Sequence, residues 1–245
     1  MTLQDLLPPG TTLAVERKAI KNLYLRVLPG GQIKVTAPRR TSDEAIGAFL
    51  AARRGWIEER LGRLEAQPVP TPRIYTTGET CWLWGKPYHL ELVEGARNGI
   101  TLKGGTLRLS MPPGATLRQR EAVVEAWYRR QLAEAIPPVL VRCQQALGTQ
   151  AREWRIKRMT TRWGSCNPRA GRIWISLQLA ERPPCCLEYL ITHELAHLLV
   201  PGHGPDFWTH LDRACPDWRR VRKLLNQPLT TAWQEPEPIE KGRNP

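Results

Sequence analysis

Between two proline-marked stops, Pro183-Pro184 and Pro201-Gly202, the chain carries His193-Glu194-Leu195-Ala196-His197. Leu187, Leu190, Ile191, Leu195 and Leu198 recur there at helical spacing, so the segment is expected to be a helix with one buried stripe. Proline is tolerated in a first turn, and Pro201-Gly202 ends the pattern. That expectation fixes what the histidines can do. Residues four apart share a helix face, so both imidazoles can converge on one cation, with Glu194 beside them. The pattern suits zinc held by two ring nitrogens, with a carboxylate placed to take a proton from water.

A catalytic zinc takes three protein ligands, so a third donor is required. His203 follows His197 by six residues, the separation found between the second and third histidines of H-E-x-x-H-x-x-G-x-x-H sequences. Val200 stands where those sequences have glycine, leaving Pro201-Gly202 to reverse the chain. No methionine follows His203, which sets the chain apart from the Met-turn class. Asp206, Asp212 and Asp217 remain alternatives for the third position. A closed structural site would have no use for Glu194, so one zinc per chain, held by His193, His197 and His203, is the expected metal centre. Its ligands must be neutral, and affinity is expected to fall in mild acid.

Composition decides less. At 245 residues the chain can bury a sizeable core in one or two domains, and no apolar run is long enough to span a bilayer. The start at Met1-Thr2-Leu3 has no basic stretch before an apolar segment, so a cytoplasmic location is expected. The cysteines at 81, 143, 166, 185, 186 and 215 form no C-x-x-C pair and are expected to be reduced. A net charge of +13 invites a nucleic-acid partner. The basic residues are scattered, however, so a peptide or protein substrate is favoured over DNA or RNA. Oligomeric state is left open.

In chain order, Leu13 to Leu28 and Ile33 to Ala37 read as strands with a reversal at Gly30-Gly31. One helix is expected from Ser42 to Leu64, capped by Thr41 or Ser42. The proline-rich Gln67 to Pro72 can only be a linker or an extended crossing. Strands come next at 81–84, 88–93, 100–102 and 107–110, with a turn at Gly104-Gly105. A helix opens at Thr116, is expected to break or kink sharply at Pro137-Pro138, and resumes to a cap at Gly148. Trp154 to Met159 and Arg172 to Leu177 read as strands. The expected fold class is α+β: a β-rich N-terminal region with one helix over 1–110, a metal-binding half over 111–230, and a flexible tail over 231–245.

Arg162-Trp163-Gly164-Ser165 and Cys166 lie between the last two strands. The segment can be a substrate-binding edge or merely a bulged hairpin. A thiol nucleophile at Cys166 would need a histidine, and the histidines are better spent on metal. His89 and His210 read as packed or surface residues.

The order of these motifs resembles the YgjP-like family of zinc metallopeptidases, relatives of SprT-like and minigluzincin-type proteins. Arg162-Trp163-Gly164-Ser165-Cys166, Glu188 to His197, His203, Phe207-Trp208 and Pro216-Asp217 carry the likeness. Val35-Thr36-Ala37-Pro38, Trp56-Ile57 and Gly85-Lys86-Pro87-Tyr88 extend it toward the N-terminus. The resemblance implies a zincin-like catalytic half, zinc on His193, His197 and His203, and Glu194 as general base. It leaves the substrate unnamed. Arg162, Trp163, Gly164 and Ser165 would edge the substrate, with Arg162 placed to steady a developing oxyanion. Ser176 departs from the asparagine common at its position in the family.

Overall fold

The computed structural model describes residues 2–65, 73–230 and 232–234, and the chain divides into two units, Met1–Pro72 and Arg73–Pro245. In the first, β1 (Thr12–Lys18), β2 (Tyr24–Val27) and β3 (Gln32–Pro38) form a sheet in the order β1-β3-β2. Ile33, Val35 and Ala37 alternate along β3 and are fully buried. The β2–β3 hairpin turns at Gly30 and Gly31 as expected, both at positive φ. β1, however, is a separate strand that runs parallel to β3.

The single helix expected over 42–64 is two, α1 (Asp43–Ala51) and α2 (Arg54–Glu65). A tight turn bonds the Arg53 amide to the Leu50 carbonyl at 3.0 Å, and Gly55 lowers helical propensity just beyond it. The bend lets Ile46 and Leu50 of one helix and Ile57 and Leu61 of the other enter one core. Ser42 caps α1, its hydroxyl accepting from the Ala45 amide at 3.3 Å.

The second unit opens with β4 (Thr80–Leu83), β5 (Lys86–Glu94), β6 (Gly99–Lys103) and β7 (Thr106–Met111), ordered β4-β5-β7-β6. Then come α3 (Leu117–Leu147), β8 (Glu153–Lys157), β9 (Gly164–Asn167), β10 (Arg172–Ser176), α4 (Pro184–Leu199), α5 (Pro205–Ala214) and α6 (Trp218–Asn226). The β8–β10 sheet is ordered β8-β10-β9, which leaves β9 at an edge. The fold is α+β, as expected.

Two further expectations are corrected by this architecture. Residues 80–111 are not a body separate from α3: Leu83, Leu90, Leu107, Leu109 and Met111 share a core with Val124, Trp127 and Leu132 of that helix, and the chain divides at 72/73. The helix does not break at Pro137-Pro138. Both prolines are exposed, so the carbonyls of Ala133 and Glu134 that lose their amide donors can turn to water. Meanwhile Leu132, Ile136, Leu140 and Cys143 carry the buried stripe straight through. Burial therefore outweighs the two prolines' helix cost of about 3 kcal/mol each. Within the range expected as a tail, the Trp233 amide donates to the Gly85 carbonyl at 2.8 Å.

The linker expected at Gln67–Pro72, residue 231 and the tail beyond Gln234 lie outside the described residues. No helix among the described residues is long and apolar enough to cross a membrane. The six cysteines are all free.

Candidate metal centre and cleft

Helix α4 starts at Pro184, as proline at a first turn allows, and buries Leu187, Leu190, Ile191 and Leu195. The same helix carries His193 and His197, with ring centroids 5.0 Å apart. Beyond the helix, Gly202 reverses the chain at φ 86°, conformational space that glycine enters cheaply. His203 then comes back over the pair, its ring 5.1 Å from His193 and 4.7 Å from His197.

One ring nitrogen from each histidine lies within 4.8 Å of the others. The Nε2 atoms of His193 and His203 are 3.2 Å apart. Two nitrogens each about 2.0–2.1 Å from a tetrahedral zinc stand about 3.3 Å apart, so this spacing is that of neighbouring ligands. His197 Nδ1 lies 3.4 Å from the Val200 carbonyl and donates to it, freeing Nε2 for a cation. The donor set, all neutral nitrogen, suits zinc.

Burial pushes His193 down to about 3, with the neighbouring His197 and His203 adding to the effect. Burial also lowers His197. Both rings are therefore poised as neutral donors. Nδ1 of His193 is buried with no hydrogen-bond partner among the described residues.

The three rings close around Phe207, which is fully buried in the first turns of α5. His197 stacks on it at 4.6 Å, while His193 and His203 meet it edgewise at 4.9 and 4.7 Å. His203, itself exposed, stacks on Trp208 at 5.6 Å, and Trp208 stacks on Trp218 at 4.5 Å. Trp218 Nε1 donates to Asp212 at 2.7 Å, and Arg219 joins the same carboxylate at 2.6 Å. Asp212 is thus an anchor for the stack. Asp217 pairs with Arg220, Asp206 sits exposed in the first turn of α5, and none of the three joins the histidine cluster. Nor do His89 and His210.

Glu194 projects from α4 toward β9 and is 4 % exposed. A Cβ on Gly164 would stand 2.6 Å from its Oε1, so the glycine is what lets the strand pass this close. Burial raises the Glu194 carboxyl to about 8, with Arg162 partly opposing the shift. Cys166 is likewise pushed up by burial and by Glu194, to about 11, which keeps it a thiol and removes it as a nucleophile.

Two cavities meet at Glu194. One, of about 480 Å³, is lined by Arg162, Gly164, Ser165, Cys166 and the three histidines. The other, of about 230 Å³, is lined by Trp163, Tyr189, Arg222 and Asn226, and shares Arg162, Gly164, His193 and Glu194 with the first. All four residues expected at a substrate edge therefore line the cleft. The bulged-hairpin alternative gives way to regular pairing, Ser165 opposite Trp174 and Gly164 opposite Ile175. Ser176 is fully buried; its amide donates to the Trp163 carbonyl at 2.8 Å and its hydroxyl to Gln178 at 2.5 Å.

Sequence reading missed Tyr189, Arg222 and Asn226. The available signal was helical periodicity in α6, where Trp218, Val221 and Leu225 are buried and Arg222 and Asn226 flank that stripe four residues apart.

A model of the YgjP-like metallopeptidase domain matches residues 21–228. Among solved structures, the metallopeptidase zymogen of Pyrococcus abyssi abylysin is similar at 23% identity, over 37% of this chain and 95% of that one, with a TM-score of 0.32. No curated protein matches the chain.

Proposed function

The chain belongs to the YgjP-like metallopeptidase family, and from that premise we propose that it is a zinc-dependent peptidase whose catalytic group is Glu194. His193, His197 and His203 would hold one zinc ion through their converging nitrogens. Zinc, when bound, supplies Lewis-acid polarisation and lowers the pKa of water. The observation that carries the reading is the three-imidazole cluster set beside one buried carboxyl in an open cleft.

Glu194 takes the proton of the attacking water and returns it to the departing amine. A carboxyl whose pKa burial has lifted toward the working pH can do both. Gly164 gives it room, and the antiparallel ladder to β10 holds β9 in place beneath it. The outer edge of β9 has no strand partner among the described residues, so an extended peptide can pair along Gly164 and Ser165 and lay a carbonyl over the site. Trp163 and Arg162 flank that path.

Metal content of wild type and His203→Ala, with turnover of Glu194→Gln on a denatured-protein substrate, tests the whole. The expected result is one zinc per chain, weakened by the first change, and kept by the second with activity lost. An absence of zinc from purified and zinc-reconstituted wild type would sink the proposal. A nucleic-acid role rests on the net charge of +13. That excess remains after every carboxylate has been counted, and the basic residues that supply it are scattered along the sequence and not gathered in one block.

A further inference from the structure

The smaller cavity is lined by two guanidinium groups, Arg162 and Arg222, and by the aromatic walls of Trp163 and Tyr189. At about 230 Å³ it is smaller than a typical small-molecule site of ~300–1,000 Å³, and holds a single side chain or chain end. Because it opens onto Glu194, a substrate seated for reaction presents its neighbouring residue to these arginines.

Neither cation has a salt-bridge partner among the described residues. The acids nearest along the sequence are already taken: Asp212 by Arg219 and Trp218, and Asp217 by Arg220. Arg162 has Glu194 as its acidic neighbour, the group reserved for the water. The walls are fixed in advance. Trp163 Nε1 donates to Asn226 at 3.2 Å, and Arg182 lies over the Trp163 ring at 4.9 Å. The Arg222 guanidinium sits 5.8 Å from the Trp208 ring. Two unpaired guanidinium groups on a concave, aromatic-walled site favour a planar anion, which each can grip with paired N–H donors.

Building on the peptidase reading above, we propose that this cavity receives a substrate carboxylate, so that the enzyme selects an acidic residue, or the free C-terminus, beside the bond it cuts. The role assigns Arg162 to the substrate's charge and not to the oxyanion. Trp163 and Asn226 act as positioning residues for the wall.

The test uses zinc-loaded enzyme and matched peptides. One pair differs only in Glu against Gln, another only in a free against an amidated C-terminus. A charge-assisted hydrogen bond predicts kcat/KM about 10-fold or more higher for the carboxylate member of at least one pair. The Glu pair reports an acidic side chain and the other pair a chain end. Arg222→Glu should reverse the preference toward a Lys peptide at unchanged zinc content, and Arg222→Gln should abolish it if the reversal variant does not fold. Equal kcat/KM within both pairs overturns the proposal.

Binding to zinc-loaded Glu194→Gln, followed by tryptophan fluorescence, separates the two claims. Tighter, salt-sensitive binding of a carboxylate member without turnover by wild type would sink the peptidase reading and leave the cavity's assignment standing. Equal binding of both members in both pairs overturns that assignment. So does displacement of the peptide by a single-stranded oligonucleotide at lower concentration, which would give the cavity to phosphate.

Discussion

Gly164→Ala is the smallest change that separates the catalytic carboxyl from the metal. The added methyl carbon would lie 2.6 Å from Glu194 Oε1, 3.0 Å from its Cγ and 2.9 Å from the Trp174 carbonyl oxygen. Ordinary contact begins near 3.4 Å, so the carboxylate oxygen must retreat by about 0.8 Å and the strand by about 0.5 Å. The strand has little freedom, because β9 is laddered to β10 from Gly164 to Asn167. Glu194 therefore moves most. Overpacking of this kind costs about 1–3 kcal/mol of stability. Misplacing a reacting group by about 1 Å costs on the order of 100-fold in rate, or about 2.7 kcal/mol of barrier. The three atoms nearest the new carbon belong to Glu194 and Trp174 and none to a histidine, so zinc content should not change. Turnover of a quenched peptide, zinc by elemental analysis and a thermal melt measure the three quantities on one preparation. Turnover within about threefold of wild type at an unchanged Tm would refute the close-approach reasoning. Loss of zinc together with activity would show that Gly164 supports the fold and not the carboxyl.

Three further outcomes rest on the same geometry. Trp208→Ala removes the ring on which exposed His203 stacks, and should weaken zinc affinity about 10–100-fold in a chelator competition while turnover returns at saturating zinc. Asp212→Asn tests the anchor below that stack. Its carboxyl is held below the usual range by Arg219 and then by Trp218, so its stabilisation is present above the ordinary value of ~3.9 and is lost as pH falls through the lowered one. The Tm gap between wild type and Asp212→Asn should accordingly be seen at pH 7 and vanish near pH 2, and a gap that grew on acidification would count against the pairing. Pro138→Ala, at an exposed position inside α3, restores one amide donor to the Glu134 carbonyl and should raise stability by about 1–3 kcal/mol in urea unfolding; an unchanged or lower midpoint would count against it.

Which of these features could be read in advance depends on whether their cause is local. The α4 helix, its proline start, the two histidines on one face and the return at Gly202 each arise from residues within one turn or one loop. The alternation of Ile33, Val35 and Ala37 is equally local. By contrast, the sequence pattern breaks α3 at two prolines, and only the continuous burial of Leu132, Ile136 and Leu140 against distant strands explains why it runs on. The parallel partner of β1 was hidden for the same reason, since strand pairing is settled across the chain and not along it. In the sequence Gly164 fits a substrate edge or a bulged hairpin equally well, and its use is visible only with Glu194, thirty positions later, against it.

Arg222 shows the same limit from the functional side. By composition it is one of many arginines in a chain of net charge +13, and the charge alone points as readily to nucleic acid as to a peptide. Its neighbours distinguish it. Arg219 and Arg220 on the same helix are neutralised by Asp212 and Asp217, whereas Arg222 reaches the cavity beside Glu194 uncompensated. It also lies over Trp208, the ring that carries His203. The metal side and the specificity side of the cleft therefore rest on one aromatic stack, Trp208 on Trp218. A change in that stack should move zinc affinity and carboxylate preference together, while a change at Arg222 alone should move only the second.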